Sequence, residues 1–369
     1  MQILQGKYGQ AIVYADQIDL KAKEQILEFC NLEISSETQV AIMPDVHVGV
    51  GCVIGMTVSN MSVVAPYMVG VDIGCGVLAV RVKTIRSLNL SRIDQYIREN
   101  IPHGFKINDR MVMPYPFENF KCYEHLKNVD RLERSLGSLG GGNHFIEINT
   151  DDAGRLYLCV HTGSRNLGKQ VAEHYQEKAV QKLKNTNNQK VPKNLAYLEG
   201  KDKSDYLWDM AMVQNYAKKN REIISRQIIE NCGFEASCEA IDTKHNYIDI
   251  ESNILRKGAV SSKKDEMLII PMNMRDGSFI CKGKGIEAWN YSAPHGAGRL
   301  LSRRDAKKKL KLEDMIEQMK DVYTTSLNKS TLDEAPDVYK SSIELRKSIQ
   351  ETAEVISIIK PIYNFKSDA

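Results

Sequence analysis

The pattern of hydrophobic and polar positions predicts β-strands over much of the chain. Short apolar runs, rich in β-branched residues, alternate with glycines and polar turn residues. This is the pattern of successive strands joined by tight turns. Strands are predicted at residues 39–43, 53–58, 77–82, 144–149, 155–161, 247–251, 267–271, 278–282 and 358–365.

Apolar residues at helical spacing predict helices elsewhere. The two longest amphipathic stretches are residues 165–186 and 204–231, and shorter ones lie at 19–32 and 89–99. Asn89 is suited to cap the last of these helices. Beyond the strands, the C-terminal third is predicted to be mainly helical. Because strands and helices do not alternate regularly, the pattern favours an α+β fold over a doubly wound parallel sheet.

The organisation predicted for the chain is a single domain over residues 1–369. No internal repeat or low-complexity linker divides the sequence. Residues 165–235 are interpreted as a helical elaboration within that domain. Between its two helices, the polar segment 184–194 predicts an exposed loop.

Composition is that of an ordinary globular protein, with 42% hydrophobic and 26% charged residues and a formal charge of +3. No run approaches the roughly 20 apolar residues that span a bilayer, and the N-terminus lacks an apolar signal core. We therefore expect a cytoplasmic protein without a membrane partner. Two basic runs stand out, although such runs are usually solvated: Arg303, Arg304, Lys307, Lys308, Lys309 and Lys311; and Arg256, Lys257, Lys263 and Lys264.

A candidate metal site is suggested by cysteine, aspartate and histidine in unusual contexts. None of the eight cysteines forms a Cys-x-x-Cys pair, which argues against a zinc ribbon. Asp72 and Cys75 instead lie three apart in the glycine-rich segment VGVDIGCGV, and carboxylates and thiolates are both metal ligands. Alone, this segment would favour a tight turn with a buried thiol. With His144, His161 and His245 it favours a mixed oxygen, sulfur and nitrogen metal site.

A second theme is phosphate handling. His295 lies in the glycine-rich segment SAPHGAGR, where backbone N–H groups can bind an anion and Arg299 can donate to a phosphate. The GGGN segment at residues 140–143 offers another such turn. His295 could be a general base, a ligand or a nucleophile. The residues alone indicate a metal-dependent enzyme acting on phosphates, with nucleic acid as one candidate substrate.

Several motifs, in this order along the chain, resemble the RtcB tRNA-splicing ligase family. A C-terminal segment, KPIYNFK at 360–366, resembles the lysine-bearing last strand of that family. The other motifs are MPDVHVGVG (43–51), VGVDIGCGV (69–77), GGGNHFIEI (140–148), HTGSRNLG (161–168), HNY (245–247), RKGAV (256–260), SAPHGAGR (292–299) and DEAPDVYK (333–340).

The resemblance implies a GTP- and manganese-dependent RNA ligase. A histidine is guanylylated by GTP, and GMP then passes to an RNA 3′-phosphate, often formed from a 2′,3′-cyclic phosphate. A 5′-hydroxyl of the second RNA end finally displaces GMP. The resemblance therefore implies RNA and GTP as partners, in tRNA splicing or RNA repair. It leaves open the natural RNA, the oligomeric state and the need for an archease-type activator.

The resemblance also assigns roles to residues of this chain. His295 matches the nucleophile and Asp45 a further catalytic acidic position. Two manganese ions are implied, with Cys75 as the bridging ligand. The implied metal ligands are Asp72, Cys75, His144, His161 and His245; the implied nucleotide contacts are Asn143, Phe145, Glu147, Ala297, Gly298, Tyr339 and Lys366. Basic residues in or near the motifs are predicted phosphate or RNA contacts: Arg165, Arg256, Lys257, Arg275 and Arg299.

One segment departs from the family pattern. Many members carry a Gly-Ser pair that contacts the nucleotide, where this chain has Met272 and Asn273. We predict that the amide of Asn273 and the charge of Arg275 replace those contacts. Two other functions remain open at this stage: a metal-dependent RNA-end phosphodiesterase or cyclic phosphatase without sealing activity, and an RNA-binding protein with a degenerate site.

Overall fold

The computed structural model describes residues 1–185 and 191–367. Within these residues, strands form three sheets and helices pack around them. The strands are β1 (Gln2–Gln5), β2 (Gln10–Val13), β3 (Gln39–His47), β4 (Ile54–Ser59), β5 (Gly76–Thr84), β6 (Phe145–Thr150), β7 (Leu156–Thr162), β8 (Phe234–Lys244), β9 (Asn246–Asp249), β10 (Ile254–Lys257), β11 (Ala259–Ser261), β12 (Met267–Asn273), β13 (Gly277–Gly283), β14 (Ser292–Pro294) and β15 (Ala353–Lys366).

The helices lie mainly in the middle and at the C-terminal side of the chain. They are α1 (Leu20–Cys30), α2 (Leu90–Asn100), α3 (Val129–Glu133), α4 (Arg165–Asn185), α5 (Gly200–Asn231), α6 (Arg303–Lys309), α7 (Leu312–Gln318) and α8 (Ser342–Ile349). None of the helices in residues 1–185 and 191–367 combines the length and apolar character needed to cross a membrane.

The sheets are mostly antiparallel. The larger has the order β12-β13-β15-β6-β7-β5-β8, and the second has the order β1-β2-β3-β4-β10-β9. In the second sheet, β2 and β3 are parallel. The short pair β11 and β14 forms the third sheet. This mixture of segregated sheets and helices confirms the α+β prediction.

Every strand predicted from the sequence overlaps an observed strand, and the four predicted helices correspond to α1, α2, α4 and α5. The predicted cap is also confirmed, because the Asn89 side chain accepts from the backbone N–H of Arg92. The prediction that the C-terminal third is mainly helical was wrong, since α6, α7 and α8 have only 7, 7 and 8 residues. Of the predicted loop at 184–194, residues 186–190 lie outside the described part of the chain.

Six of the observed strands were not predicted from the sequence: β1, β2, β8, β10, β11 and β14. Two of them, β8 and β10, were missed because they carry polar side chains. β8 contains Glu235, Glu239 and Asp242, and forms an outer strand whose side chains are largely exposed. β10 contains Arg256 and Lys257, yet both side chains are buried. The expectation that this basic run is solvated was therefore wrong for these two residues.

The helical elaboration shares the core of the second sheet. Leu167 and Val171 of α4 and Val213 of α5 belong to the same buried hydrophobic cluster as Val40 of β3 and Val58 of β4. Burial of these side chains, each stabilising by about 1.5–3 kcal/mol relative to exposure, fixes α4 and α5 against the sheets. These helices can therefore position loops that belong to the sheets.

Candidate active site and metal centre

Three predicted ligands converge in a buried cluster. The sulfur of Cys75 lies 3.5 Å from Nε2 of His144 and 3.3 Å from Nε2 of His161. One ligand atom from each of the three residues falls within 4.8 Å of the others, a spacing that could hold a metal ion. All three side chains are buried. The structure thus brings together residues separated by up to 86 positions in the chain.

The register of the larger sheet explains this convergence. Cys75 directly precedes β5, whose Gly76 pairs with Thr162 at the end of β7. His161 of β7 also pairs with Phe145, the residue that follows His144. Adjacent antiparallel strands therefore bring the three ligands to one end of the sheet.

Asp72 and His245 complete the predicted ligand set. Oδ2 of Asp72 lies 3.4 Å from Nε2 of His144. The backbone N–H of His245 donates to the Cys75 carbonyl at 3.0 Å, and its ring lies 5.3 Å from that of His161. A Cβ atom on Gly163 would lie 2.1 Å from Oδ1 of Asp72. Glycine is thus required for the aspartate to approach this closely.

The hydrogen bonds of His144 and His161 leave both rings in a form that can bind a cation. Nδ1 of His144 faces the Leu139 carbonyl at 2.9 Å, and Nδ1 of His161 faces the Asn143 carbonyl at 3.2 Å. A carbonyl can only accept, so each Nδ1 carries the proton and each Nε2 presents a lone pair to the cluster. Burial lowers the pKa of His161 well below the usual histidine value, which favours this neutral form. Lone pairs from nitrogen, sulfur and carboxylate converging in a buried space are the donor set of a metal ion.

Helix α5 holds the loops that carry these ligands. The Asn220 side chain accepts from the backbone N–H groups of Gly137 and Ser138, and donates to the carbonyls of Ser138 and Gly163. The guanidinium of Arg221 donates to the carbonyls of Gly74 and Thr162. Segments before His144, after Asp72 and after His161 are thereby tied to one helix.

A dyad of His295 and Asp45 lies beside the cluster. Nδ1 of His295 donates to Oδ2 of Asp45 at 2.8 Å, and its ring lies 5.2 Å from that of His245. Asp45 lies in β3, where the pairing with β4 is irregular between Ile42 and His47. Such bulges re-aim side chains. The carboxylate is 4% exposed, and its Oδ1 has no hydrogen-bond partner within the described residues.

A cavity of about 300 Å³ opens next to this dyad, a volume within the range of small-ligand sites. It contains nearly all of the predicted nucleotide contacts together with the nucleophile candidate. The predicted residues that line it are Asn143, Phe145, Glu147, His161, His245, Asn273, His295, Ala297, Gly298, Arg299, Tyr339 and Lys366.

Glu147 is one of two acidic residues that line this cavity. Its two oxygens accept from the side-chain amides of Asn364 at 2.7 Å and Asn149 at 3.3 Å. Burial raises its pKa to about 7, partly offset by Asn364 and by the charge of Lys366. The carboxyl can therefore change its protonation state near neutral pH.

The sequence analysis missed Glu334, although it lies in the motif at 333–340. Its buried carboxylate accepts from Tyr339 at 2.8 Å and Lys366 at 3.1 Å, and pairs with Arg299 at 3.3 Å and Arg303 at 2.9 Å. Burial would raise the pKa of Glu334, but these cations hold it below the usual value. Glu334 therefore orders one wall of the cavity, a role that depends on contacts distant in sequence.

Four of the predicted phosphate or RNA contacts lie outside the cavity lining. Arg256 is fully buried and donates to Ser292 and the Tyr247 hydroxyl, and Lys257 donates to the carbonyls of Val50 and Tyr67. Their contacts within the protein are structural. The remaining two differ: Arg165 lies beside the metal cluster, where it donates to Ser138 and Gly104, and Arg275 pairs with Asp276.

The loop that departs from the family pattern is a hairpin turn between β12 and β13. Oδ1 of Asn273 accepts from the backbone N–H groups of Arg275 and Asp276, and its Nδ2 donates to Asp276. Asn273 lines the cavity, but its amide is thus engaged within the turn. Direct contact of Asn273 or Arg275 with a nucleotide stays a prediction.

A buried cluster that can hold a metal ion, next to a cavity of this size, is the usual arrangement of an enzyme active site. Comparison with known proteins defines the family. The family model for the tRNA-splicing ligase RtcB matches residues 25–121 and 117–367. The chain is therefore an RNA ligase by descent, and it belongs to the RtcB family.

Relatives of this chain occur in bacteria and archaea. The RNA-splicing ligase RtcB of Escherichia coli K12 is 30% identical over 385 aligned positions, which cover 94% of each chain. The tRNA-splicing ligase RtcB of Aeropyrum pernix is 27% identical, with 89% of each chain covered. The corresponding protein of Archaeoglobus fulgidus is also 27% identical, over 92% of this chain and 90% of the relative. The similarity thus extends over nearly the whole chain.

Proposed function

We propose that this protein joins RNA ends in a GTP- and manganese-dependent reaction that passes through guanylylated His295. The observation that carries the proposal is the Asp45–His295 pair, because it lies between the metal-capable cluster and the cavity. A histidine held in one tautomer at such a junction is suited to nucleophilic attack on a phosphate.

The dyad gives His295 the properties of a nucleophile. Asp45 accepts the proton on Nδ1, so the lone pair of the ring resides on Nε2. In the first step Nε2 forms a bond to the α-phosphorus of GTP, and the bond to the bridging oxygen breaks, releasing pyrophosphate. The buried carboxylate of Asp45 stabilises the positive charge that the ring acquires.

The metal would be held by Asp72, Cys75, His144, His161 and His245. Cys75 is the candidate for a ligand shared by two ions, since its sulfur is within reach of both His144 and His161. Manganese(II) bound there would act as a Lewis acid and neutralise charge on the phosphates. The carbonyls of Leu139 and Asn143 keep both histidines in the neutral, metal-binding tautomer.

The cavity would hold the guanylate. Phe145 and Tyr339 offer aromatic surfaces, and the ionised carboxylate of Glu147 can accept N–H groups from the guanine edge. Lys366 lies between the Asn143 carbonyl and Glu334, where its amine can neutralise a nucleotide phosphate or bind the base. Arg299 provides a further cation at the same wall.

Two transfers follow guanylylation. An oxygen of an RNA 3′-phosphate attacks the phosphorus of the guanylate, the P–N bond to His295 breaks, and GMP becomes attached to the RNA end. The 5′-hydroxyl of the second RNA then attacks the activated 3′-phosphate, loses its proton, and displaces GMP. A 2′,3′-cyclic phosphate must first be opened by water to a 3′-phosphate.

The test uses RNA oligonucleotides with defined ends, GTP and manganese. A strand ending in a 3′-phosphate should be joined to a strand beginning with a 5′-hydroxyl. A 5′-phosphate should block joining, because the terminal oxygen is then no longer the nucleophile. Joining of 3′-hydroxyl and 5′-phosphate ends would contradict the proposal. Opening of the cyclic phosphate without sealing would instead support a phosphodiesterase.

A further inference from the structure

Phe105 is the most exposed of the large hydrophobic side chains in the described residues, at 86% of its surface. A single exposed hydrophobic residue is ordinary and indicates nothing by itself. Phe105 is unusual because its backbone is anchored and because it lies beside the metal cluster.

Three hydrogen bonds hold the backbone of the turn in place. The N–H of Gly104 donates to the Gly140 carbonyl at 2.9 Å, and the Gly104 carbonyl accepts from Arg165 at 2.6 Å. The carbonyl of Phe105 itself accepts from Arg131 at 2.7 Å. The exposed ring is thus attached to an ordered segment, which lowers the entropy cost of using it as a binding surface.

The same hydrogen bonds connect Phe105 to the metal cluster. A Cβ atom on Gly140 would lie 2.8 Å from Nδ1 of His144, so Gly140 packs directly behind this ligand. Gly140 is bonded to Gly104, and Phe105 follows at the usual Cα spacing of about 3.8 Å. Neither Gly104 nor Phe105 lines the nucleotide cavity. The ring is therefore attached to the loop behind His144 and is not part of the cavity wall.

The surroundings of Phe105 carry positive charge, and the Asp72 side chain in the cluster is 37% exposed. Lys106 and Arg131 are exposed beside Phe105, and Arg165 lies just behind the turn. An aromatic ring flanked by cations is the arrangement with which proteins bind unpaired bases of single-stranded RNA. A protein partner would usually bury a broader apolar patch.

We propose that Phe105 stacks on a base close to the RNA end whose phosphate lies at the metal cluster, with Lys106 and Arg131 contacting the adjacent backbone. This rests on the proposed function, because it assumes that RNA ends react at this cluster. Phe105 is a positioning residue in this proposal, since it holds the strand and does not touch the reacting atoms.

The experiment measures binding of a single-stranded RNA with a 3′-phosphate to the full chain by fluorescence anisotropy, without GTP. Phe105→Ala should weaken binding at least about fivefold, the scale of one lost base–aromatic stack. Phe105→Trp should bind as well as the wild type or more tightly, whereas Phe105→Leu should resemble Phe105→Ala. Unfolding temperatures of all variants establish that the fold is retained.

The matched control is Tyr8→Ala, because Tyr8 is also exposed and has a lysine, Lys7, 4.8 Å from its ring centre. That variant should bind RNA like the wild type. RNAs that lack one base in the last few nucleotides add a second test. When the missing base is the one on which Phe105 stacks, wild type and Phe105→Ala should bind the RNA with the same affinity.

Three results would overturn the stacking proposal: unchanged affinity in Phe105→Ala, wild-type affinity in Phe105→Leu, or an affinity loss that no missing base removes. A change of oligomeric mass in Phe105→Ala with unchanged RNA affinity would indicate a protein contact instead. The proposed function can fail separately. If the wild type takes no guanylate label from GTP but binds RNA through Phe105, only the ligase mechanism is contradicted.

Discussion

At the scale of single residues, the site is ordered by where protons lie on three histidines. His144, His161 and His295 each direct Nδ1 toward an acceptor, which is a carbonyl for the first two and Asp45 for the third. Each therefore presents the Nε2 lone pair, which the proposed mechanism directs to a metal for the first two and to a phosphorus for the third. In that mechanism the same side chain serves as ligand or nucleophile according to its position.

Glu147 gives a prediction about pH. Its pKa is raised to about 7 by burial, so the carboxyl is largely protonated below that pH and must release a proton to accept two guanine N–H groups. Guanosine affinity of the metal-free protein should therefore fall as pH drops below 7, approaching tenfold per unit. Guanosine is the suitable ligand because it has no phosphate that titrates in this range.

Glu147→Gln is the matched control, since it preserves the shape of the side chain but cannot ionise. Its guanosine affinity should be weaker and nearly independent of pH between pH 5.5 and 8. Calorimetric titrations at several pH values measure both proteins. A wild-type affinity that does not change with pH, or a variant with the wild-type slope, would show that Glu147 does not read the base.

At the scale of elements, α5 is hydrogen-bonded to the loops that carry the predicted metal ligands, although it supplies none of those ligands. Asn220→Asp keeps the acceptor for Gly137 and Ser138 but loses the donor to the Ser138 and Gly163 carbonyls. Manganese affinity should fall about 10- to 100-fold, as for other residues that orient metal ligands. Asn231→Asp, near the exposed end of the same helix, should leave the manganese affinity unchanged. Equal manganese affinities in equilibrium dialysis would contradict this role of α5.

The β12–β13 turn gives a second prediction at this scale. Asn273→Ala removes two bonds to backbone N–H groups and should lower the free energy of unfolding by about 1–2 kcal/mol, with weaker GTP use because the cavity wall loosens. Arg275→Ala breaks only a partly exposed pair with Asp276 and should cost less than about 1 kcal/mol. Urea unfolding and guanylylation rates at varied GTP concentration measure both. A large, salt-dependent loss of GTP use in Arg275→Ala would show instead that its charge reaches a phosphate.

The way in which elements bring distant residues together explains which site residues the sequence could and could not predict. Cys75, His144 and His161 were identifiable because each lies in a short, glycine-rich motif. Glu334 was not, because its importance depends on three cations, Arg299, Arg303 and Lys366, that are distant from it in sequence. β8 and the buried Arg256 were missed for a related reason, since polar side chains look solvated until their partners are known.

At the scale of the whole molecule, the site forms where separate sheets meet. The metal-capable cluster is at one end of the larger sheet, Asp45 comes from β3 of the second sheet, and His295 follows β14 of the third. Phe105 lies outside the lining of the cavity. In the proposed mechanism GTP would occupy the cavity and RNA would contact Phe105, so that both reach the same centre.

The most direct test of this account is covalent labelling of the intact protein with GTP labelled at the α-phosphate, in the presence of manganese. The account predicts one guanylate per chain, attached to His295 through a P–N bond that is lost in acid and survives alkali. His295→Ala should take up no label, whereas His125→Ala, at an exposed histidine outside the site, should label normally. Label that persists in His295→Ala, or that moves to His47 in the same cavity, would contradict the central claim.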